Sequence, residues 1–158
     1  MIRKKNNYVY LWYLLTIFVL AFDLITKSLT DGIVFQDAIP GIFCIESYHN
    51  TGASFSMFAD SKVAQIIFII LGFIVSISLV VYSILGRQKQ NLNWCFFVGI
   101  TLMIGGILGN LVDRIFLGYV RDFISLQFMN FAVFNIADSA LTVGVVFVIV
   151  WLLFFAFK

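Results

Sequence analysis

Charge is scarce in this chain. Only 11% of its 158 residues are Asp, Glu, Lys or Arg, and the net charge is +2. An average soluble domain is about 25% charged, and a disordered chain needs high charge with low hydrophobicity. Neither description fits. The small net charge also leaves no clustered basic face for nucleic acid. The single histidine, His49, cannot build a multi-histidine metal centre. The two cysteines, Cys44 and Cys95, lie far apart without CxxC spacing, so they imply no zinc site and no disulfide framework. What the chain has in excess is apolar surface: 62% of its residues are hydrophobic and the mean hydropathy is +1.05. These proportions describe a small integral membrane protein.

A bilayer core needs about 20 apolar residues per helix. Four stretches meet this, at approximately residues 8–27, 63–86, 93–113 and 134–157. The expected architecture is an all-α membrane protein of four spans, one domain over residues 1–158, with a small cap built from the loop 28–62. The first stretch reads as a span and not a cleaved signal peptide, because Asp23 and Lys27 follow it in place of a small-residue cleavage site. Arg3, Lys4 and Lys5 form a tight basic cluster, and Arg87, Lys89 and Lys158 fall on the same side. The positive-inside rule then puts both termini in the cytoplasm. Every acid falls in the outer loops or at the outer ends of spans, so acid chemistry is expected at the outer face. Within the loop, Ile39-Pro40-Gly41 is a turn signal. The run from Ile42 to Tyr48 reads as a short strand.

Polar residues in the spans are few and patterned. Asn135, Asp138, Ser139 and Thr142 share one face of the fourth helix. Gly106, Gly109, Asn110 and Asp113 share one face of the third, where Gly105 and Gly109 form a close-packing GxxxG pair. Asp23 and Lys27 are spaced to pair along the first helix. Asp113 and Arg114 are expected in local ion pairs at the rim. Each feature has a bland explanation: Asp138 as a helix cap, the glycines as packing, Asp122 as a solvated loop residue, and the His49–Phe55 segment as a turn. Together they say more. Asp122 and Asp138 flank a short connection, so they can meet at one depth. Two carboxylates sharing a site split into a proton holder and a base, which suits peptide hydrolysis without metal, cofactor or covalent intermediate.

The motifs occur in a telling order. They are Asp23-x-x-Thr26-Lys27, Asn50-x-Gly52-Ala53-Ser54-Phe55, Gly105-Gly106-x-x-Gly109-Asn110-x-x-Asp113-Arg114, Asp122-Phe123, and Phe134-Asn135-x-Ala137-Asp138-Ser139. In this order the chain closely resembles lipoprotein signal peptidase (signal peptidase II) of bacteria. The resemblance implies a membrane aspartic endopeptidase of the cytoplasmic membrane that acts near the outer face. It would cut diacylglyceryl-modified prolipoproteins just before the lipidated cysteine. It implies Asp122 and Asp138 as the catalytic pair. Asp23, Asn50, Gly52, Asn110, Arg114, Asn135 and Ala137 would line or support the site. A β-cradle and a short helix over the site and sensitivity to globomycin-type inhibitors are further implications; contact with membrane lipids and a monomeric state are expected as well. Two positions depart from the family pattern: Leu24 stands where Gln is common, and Arg121 where an aliphatic residue is usual. An Arg121 aimed at the pair would favour ionised Asp122 and make it the base. The loop 28–62 is expected to form a partly mobile lid whose Phe55, Met57 and Phe58 touch lipid or acyl chains.

Other classes fit less well. A transporter would carry acids deeper in its spans and show an inverted repeat. A structural subunit would explain the glycines but not the acids. There is no HExxH for a metalloprotease, no GxSG-like turn and no GxGD sequence.

Overall fold

The computed structural model describes residues 9–52, 58, 61–86 and 92–156. Four helices run through α1 (Val9–Thr30), α2 (Lys62–Gly86), α3 (Trp94–Phe116) and α4 (Ile136–Phe154). All are long and apolar enough to cross a bilayer. Three strands, β1 (Gln36–Ile39), β2 (Phe43–Asn50) and β3 (Val120–Leu126), form an antiparallel sheet in the order β1-β2-β3. The expected strand at Ile42–Tyr48 is β2. Its two partners were not anticipated: β3 lies in a stretch that reads only as a mixed outer connection.

α3 is the axis of the bundle. It packs on α1, α2 and α4, whereas α2 packs chiefly on α3. Its lower half carries the core of Cys95, Phe96, Phe97, Ile100 and Ile104, closed by Trp151 of α4. Its upper half is a glycine seam. A Cβ on Gly105 would stand 2.9 Å from Val19 of α1, and one on Gly106 would collide with the Ala137 carbonyl of α4. At Gly109 it would meet Asp23 Oδ2 at 2.5 Å and Ala137 Cβ at 3.1 Å. The seam therefore faces two helices at once. The obstacle at Gly106 is backbone, which no rotamer change relieves. Gly106→Val is expected to force α3 from α4 at a cost of about 3 kcal/mol, the upper range for overpacking, read as a lower melting temperature in detergent.

α1 runs beyond its expected end at residue 27 because Lys27 is not at an interface. It is fully buried, 2.8 Å from Asp23 and 3.3 Å from Asp113. α4 begins at Ile136 with Asn135 as its cap: the Asn135 side chain accepts from the Asp138 N–H, and the Asp138 carboxylate accepts from the Asn135 N–H. Backbone bonds between Phe134 and both Phe123 and Ile124 pin the entry of α4 to β3. That junction brings Asp122 beside Asn135.

Candidate active site

The sheet supplies one carboxylate and the helix bundle the other. Asp122 sits on β3 opposite Tyr48 of β2. Side chains two residues apart share a sheet face, so Asn50 lies on the Asp122 side. Its Nδ2 donates to Asp122 Oδ2 at 3.0 Å. Asn135 donates from Nδ2 to Asp122 Oδ1 at 2.6 Å. On α4, Asp138 accepts from Asn110 Nδ2 at 2.7 Å and from the Asn135 backbone N–H at 3.2 Å. Asn135 also donates to Asn110 Oδ1 at 3.1 Å. Asn110 and Asn135 thus bridge the carboxylates, and the cap geometry of Asp138 serves the site as well as the helix.

Asp122 is almost wholly buried, at 2% exposure. Burial, reinforced by the nearby charge of Asp138, pushes its pKa up from 3.8 to about 7. The amides of Asn50 and Asn135 and the charge of Lys27 pull the other way without prevailing. Both acids line a cavity of about 640 Å³. The rest of its lining is largely apolar, with Phe68, Ile107, Leu111 and Leu141 from α2, α3 and α4, and includes the polar Asn50, Asn110, Arg114, Ser139 and Thr142.

The supporting residues fall into place around this pair. Gly52 donates its N–H to Asn50 Oδ1 at 2.9 Å and accepts at its carbonyl from Arg114 Nη2 at 3.2 Å. Arg114 also lies over the Phe68 ring at 5.2 Å, lines the cavity, and has a buried Nε that finds no hydrogen-bond partner among the described residues. Asp23 accepts the Ala137 N–H at 2.8 Å, satisfying a free donor in the first turn of α4. Ala137 itself is fully buried.

Two expectations fail. Arg121 does not point at the pair. Adjacent strand residues face opposite sides, so Arg121 turns from Asp122 and binds Asp113, 2.8 Å from its Nη2. Asp113 and Arg114 do not pair at a rim either. Asp113 is buried and holds Lys27, the Arg121 side chain and the Arg121 N–H. Among the lid residues, Phe55 and Met57 lie outside the described residues, as does any short helix there. Phe58 is exposed. The reading also missed residues. Lys27 donates to Asn110 Oδ1 at 2.9 Å; its place beside Asp23 in the motif was the available signal. Phe68 and Gly72 of α2 have no such signal, since cavity-lining and lipid-facing apolar residues look alike in sequence.

Paired carboxylates, held by amides in a cavity among apolar helices, define a class: polytopic membrane enzymes equipped for acid–base chemistry. Comparison with known proteins narrows it. The family model of signal peptidase II matches residues 15–154. A lipoprotein signal peptidase of Lactobacillus gasseri is 42% identical over 120 residues, 76% of this chain and 74% of that protein. One of Pseudomonas aeruginosa is 40% identical over 143 residues, 85% of this chain and 83% of that protein. A bacterial membrane enzyme solved by the in meso method at 2.3 Å superposes with a TM-score of 0.82 at 33% identity, covering 94% of this chain and 91% of that one. The chain belongs to the signal peptidase II family of membrane aspartic peptidases. It is a multi-pass bacterial membrane protein.

Proposed function

We propose that this peptidase removes the signal peptide from diacylglyceryl-modified prolipoproteins, cutting just before the lipidated cysteine, with Asp122 and Asp138 as its catalytic dyad. The observation that carries the reading is the convergence of three side-chain amides on two carboxylates in one cavity wall. With a pKa raised to about 7, Asp122 holds the shared proton below neutral pH. Asp138 is then the base. It takes a proton from water, and the hydroxide forms a bond to the scissile carbonyl carbon while Asp122 gives its proton to the carbonyl oxygen. As the C–N bond breaks, Asp138 passes its proton to the leaving amine and Asp122 recovers one from the tetrahedral hydroxyl. Arg114, which lines the cavity beside both carboxylates, is the candidate to bind a substrate carbonyl through its guanidinium.

The whole chain, residues 1–158, acts as one domain and as a monomer, with both termini in the cytoplasm and the dyad near the outer face. The acids in the outer pieces and the basic cluster at Arg3–Lys5 support this orientation. Apolar cavity walls suit the acyl chains of the substrate, neighbouring membrane lipid and an inhibitor of the globomycin type.

Cleavage of a lipidated prolipoprotein by purified enzyme tests the reading. The protonated form of Asp122 is the competent one, so kcat/KM is expected to fall as pH rises through about 7. Asn50 favours the ionised form by hydrogen bonding to it. Removing that bond in Asn50→Ala raises the pKa further, so the falling limb should move to higher pH. A limb that stays in place or moves lower contradicts Asp122 as the proton holder.

A further inference from the structure

A carboxamide has two ends of nearly equal shape, and turning it over exchanges donor for acceptor. Each of the three amides at the dyad is useful in only one direction, with its NH₂ toward a carboxylate. Two are locked by backbone. The Gly52 N–H holds the oxygen of Asn50, and the Asp138 N–H holds the oxygen of Asn135. Asn110 lies inside α3, where the surrounding backbone N–H groups are spent within the helix. Its lock has to come from elsewhere.

Lys27 is in the required place. Its ammonium carries three hydrogens and no acceptor. Among the described residues, the three partners within reach are Asp23 at 2.8 Å, Asp113 at 3.3 Å and the Asn110 oxygen at 2.9 Å. The side chain is fully buried. A reversed Asn110 would press its NH₂ against the ammonium and against the NH₂ of Asn135, and present oxygen to the Asp138 carboxylate. Every contact would be of like kind, in surroundings where an unmatched polar group is costly. We infer that Lys27 is a positioning residue for the dyad, fixing the direction of the Asn110 amide so that an N–H stays aimed at Asp138. The two buried acids then have a purpose beyond joining helices: they hold the ammonium under Asn110.

This inference rests on the dyad reading and adds to it. Lys27→Met alone leaves Asp23 and Asp113 short of a cation and can fail by misfolding. The test is therefore a pair of double variants of equal charge, Lys27→Met with Asp23→Asn and Lys27→Gln with Asp23→Asn. In both, the amide introduced at position 23 still offers an oxygen to the Ala137 N–H, and Arg121 still pairs with Asp113. Only the glutamine variant keeps a donor toward Asn110. Both are assayed on lipidated prolipoprotein in detergent, with melting temperatures measured alongside. The methionine variant should show kcat lower than the glutamine variant by on the order of a hundredfold, the scale of a misplaced catalytic group. KM should stay similar, and the pH profile of kcat should be displaced. Equal kcat and a common pH profile in the two variants overturn the inference, because Lys27 would then act only as a structural cation. Failure of the dyad reading shows separately, as cleavage by Asp138→Asn in the otherwise unaltered enzyme.

Discussion

Asp122→Asn and Asp138→Asn should each abolish cleavage of a lipidated prolipoprotein, with residual kcat at least about 10³-fold below the parent enzyme. General acid or base catalysis by one positioned group contributes roughly 10²–10⁴-fold, and in the proposed mechanism the two groups act as a unit, so losing either removes both roles. Asparagine keeps the shape, so insertion and helix content should be unchanged. The two variants should nevertheless differ in stability. The folded-state pKa of Asp122 lies above its ordinary value of 3.8, at about 7. The native state therefore binds more protons than the unfolded state between those pH values, and stability falls as pH rises through that window. Above pH 7 the parent carries an ionised, buried Asp122 that Asp122→Asn lacks. The inactive variant should thus melt higher than its parent at pH 8 and lose that advantage near pH 4. Detergent melting curves at both pH values check the sign. Substantial cleavage by either variant would remove the dyad mechanism.

Prolipoprotein without its diacylglyceryl group should be cut with kcat/KM reduced at least about a hundredfold. A buried methylene contributes about 0.8 kcal/mol, so four of them already supply roughly 3 kcal/mol, more than two decades. The cavity has the surface for this. Phe68 and Gly72 of α2 and Leu141 and Val143 of α4 line it, while α2 packs chiefly on α3. Acyl chains held against these walls would keep the scissile bond at the depth of the two carboxylates. Competition assays with lipidated and unlipidated forms of one substrate measure the ratio. Equal cleavage would leave a generic intramembrane peptidase and overturn the substrate assignment.

The spans were legible because lipid leaves apolar runs little choice of structure, and their errors are instructive. Lys27 read as the end of the first span because a charge in a membrane is costly. Inside the bundle that charge is matched by Asp23 and Asp113, and the helix continues to Thr30. β3 was not legible because strand recognition depends on apolar residues on the inward face. Here one inward residue is Asp122, so a candidate catalytic residue broke the pattern that would have revealed its strand. β1 is four exposed residues and carries almost no signal. The candidate dyad and its amides could be read from motif order and helical phase. Lys27, Asp113 and the two faces of Arg121–Asp122 required strand pleat and bundle depth, which spacing along the chain does not convey.

The cap of α4 has a bearing on how such an enzyme comes into being. Asn135 starts the last helix and, with the same side chain, grips Asp122. Nothing made earlier in the chain replaces it: the first three spans and the sheet contain Asp122 but no partner acid and no bridging amide from α4. If Asp122 and Asp138 are the dyad, a chain leaving the ribosome is expected to stay silent until its final span has wound up. In the proposed mechanism, then, the proteolytic centre is assembled by the same act that completes the fold.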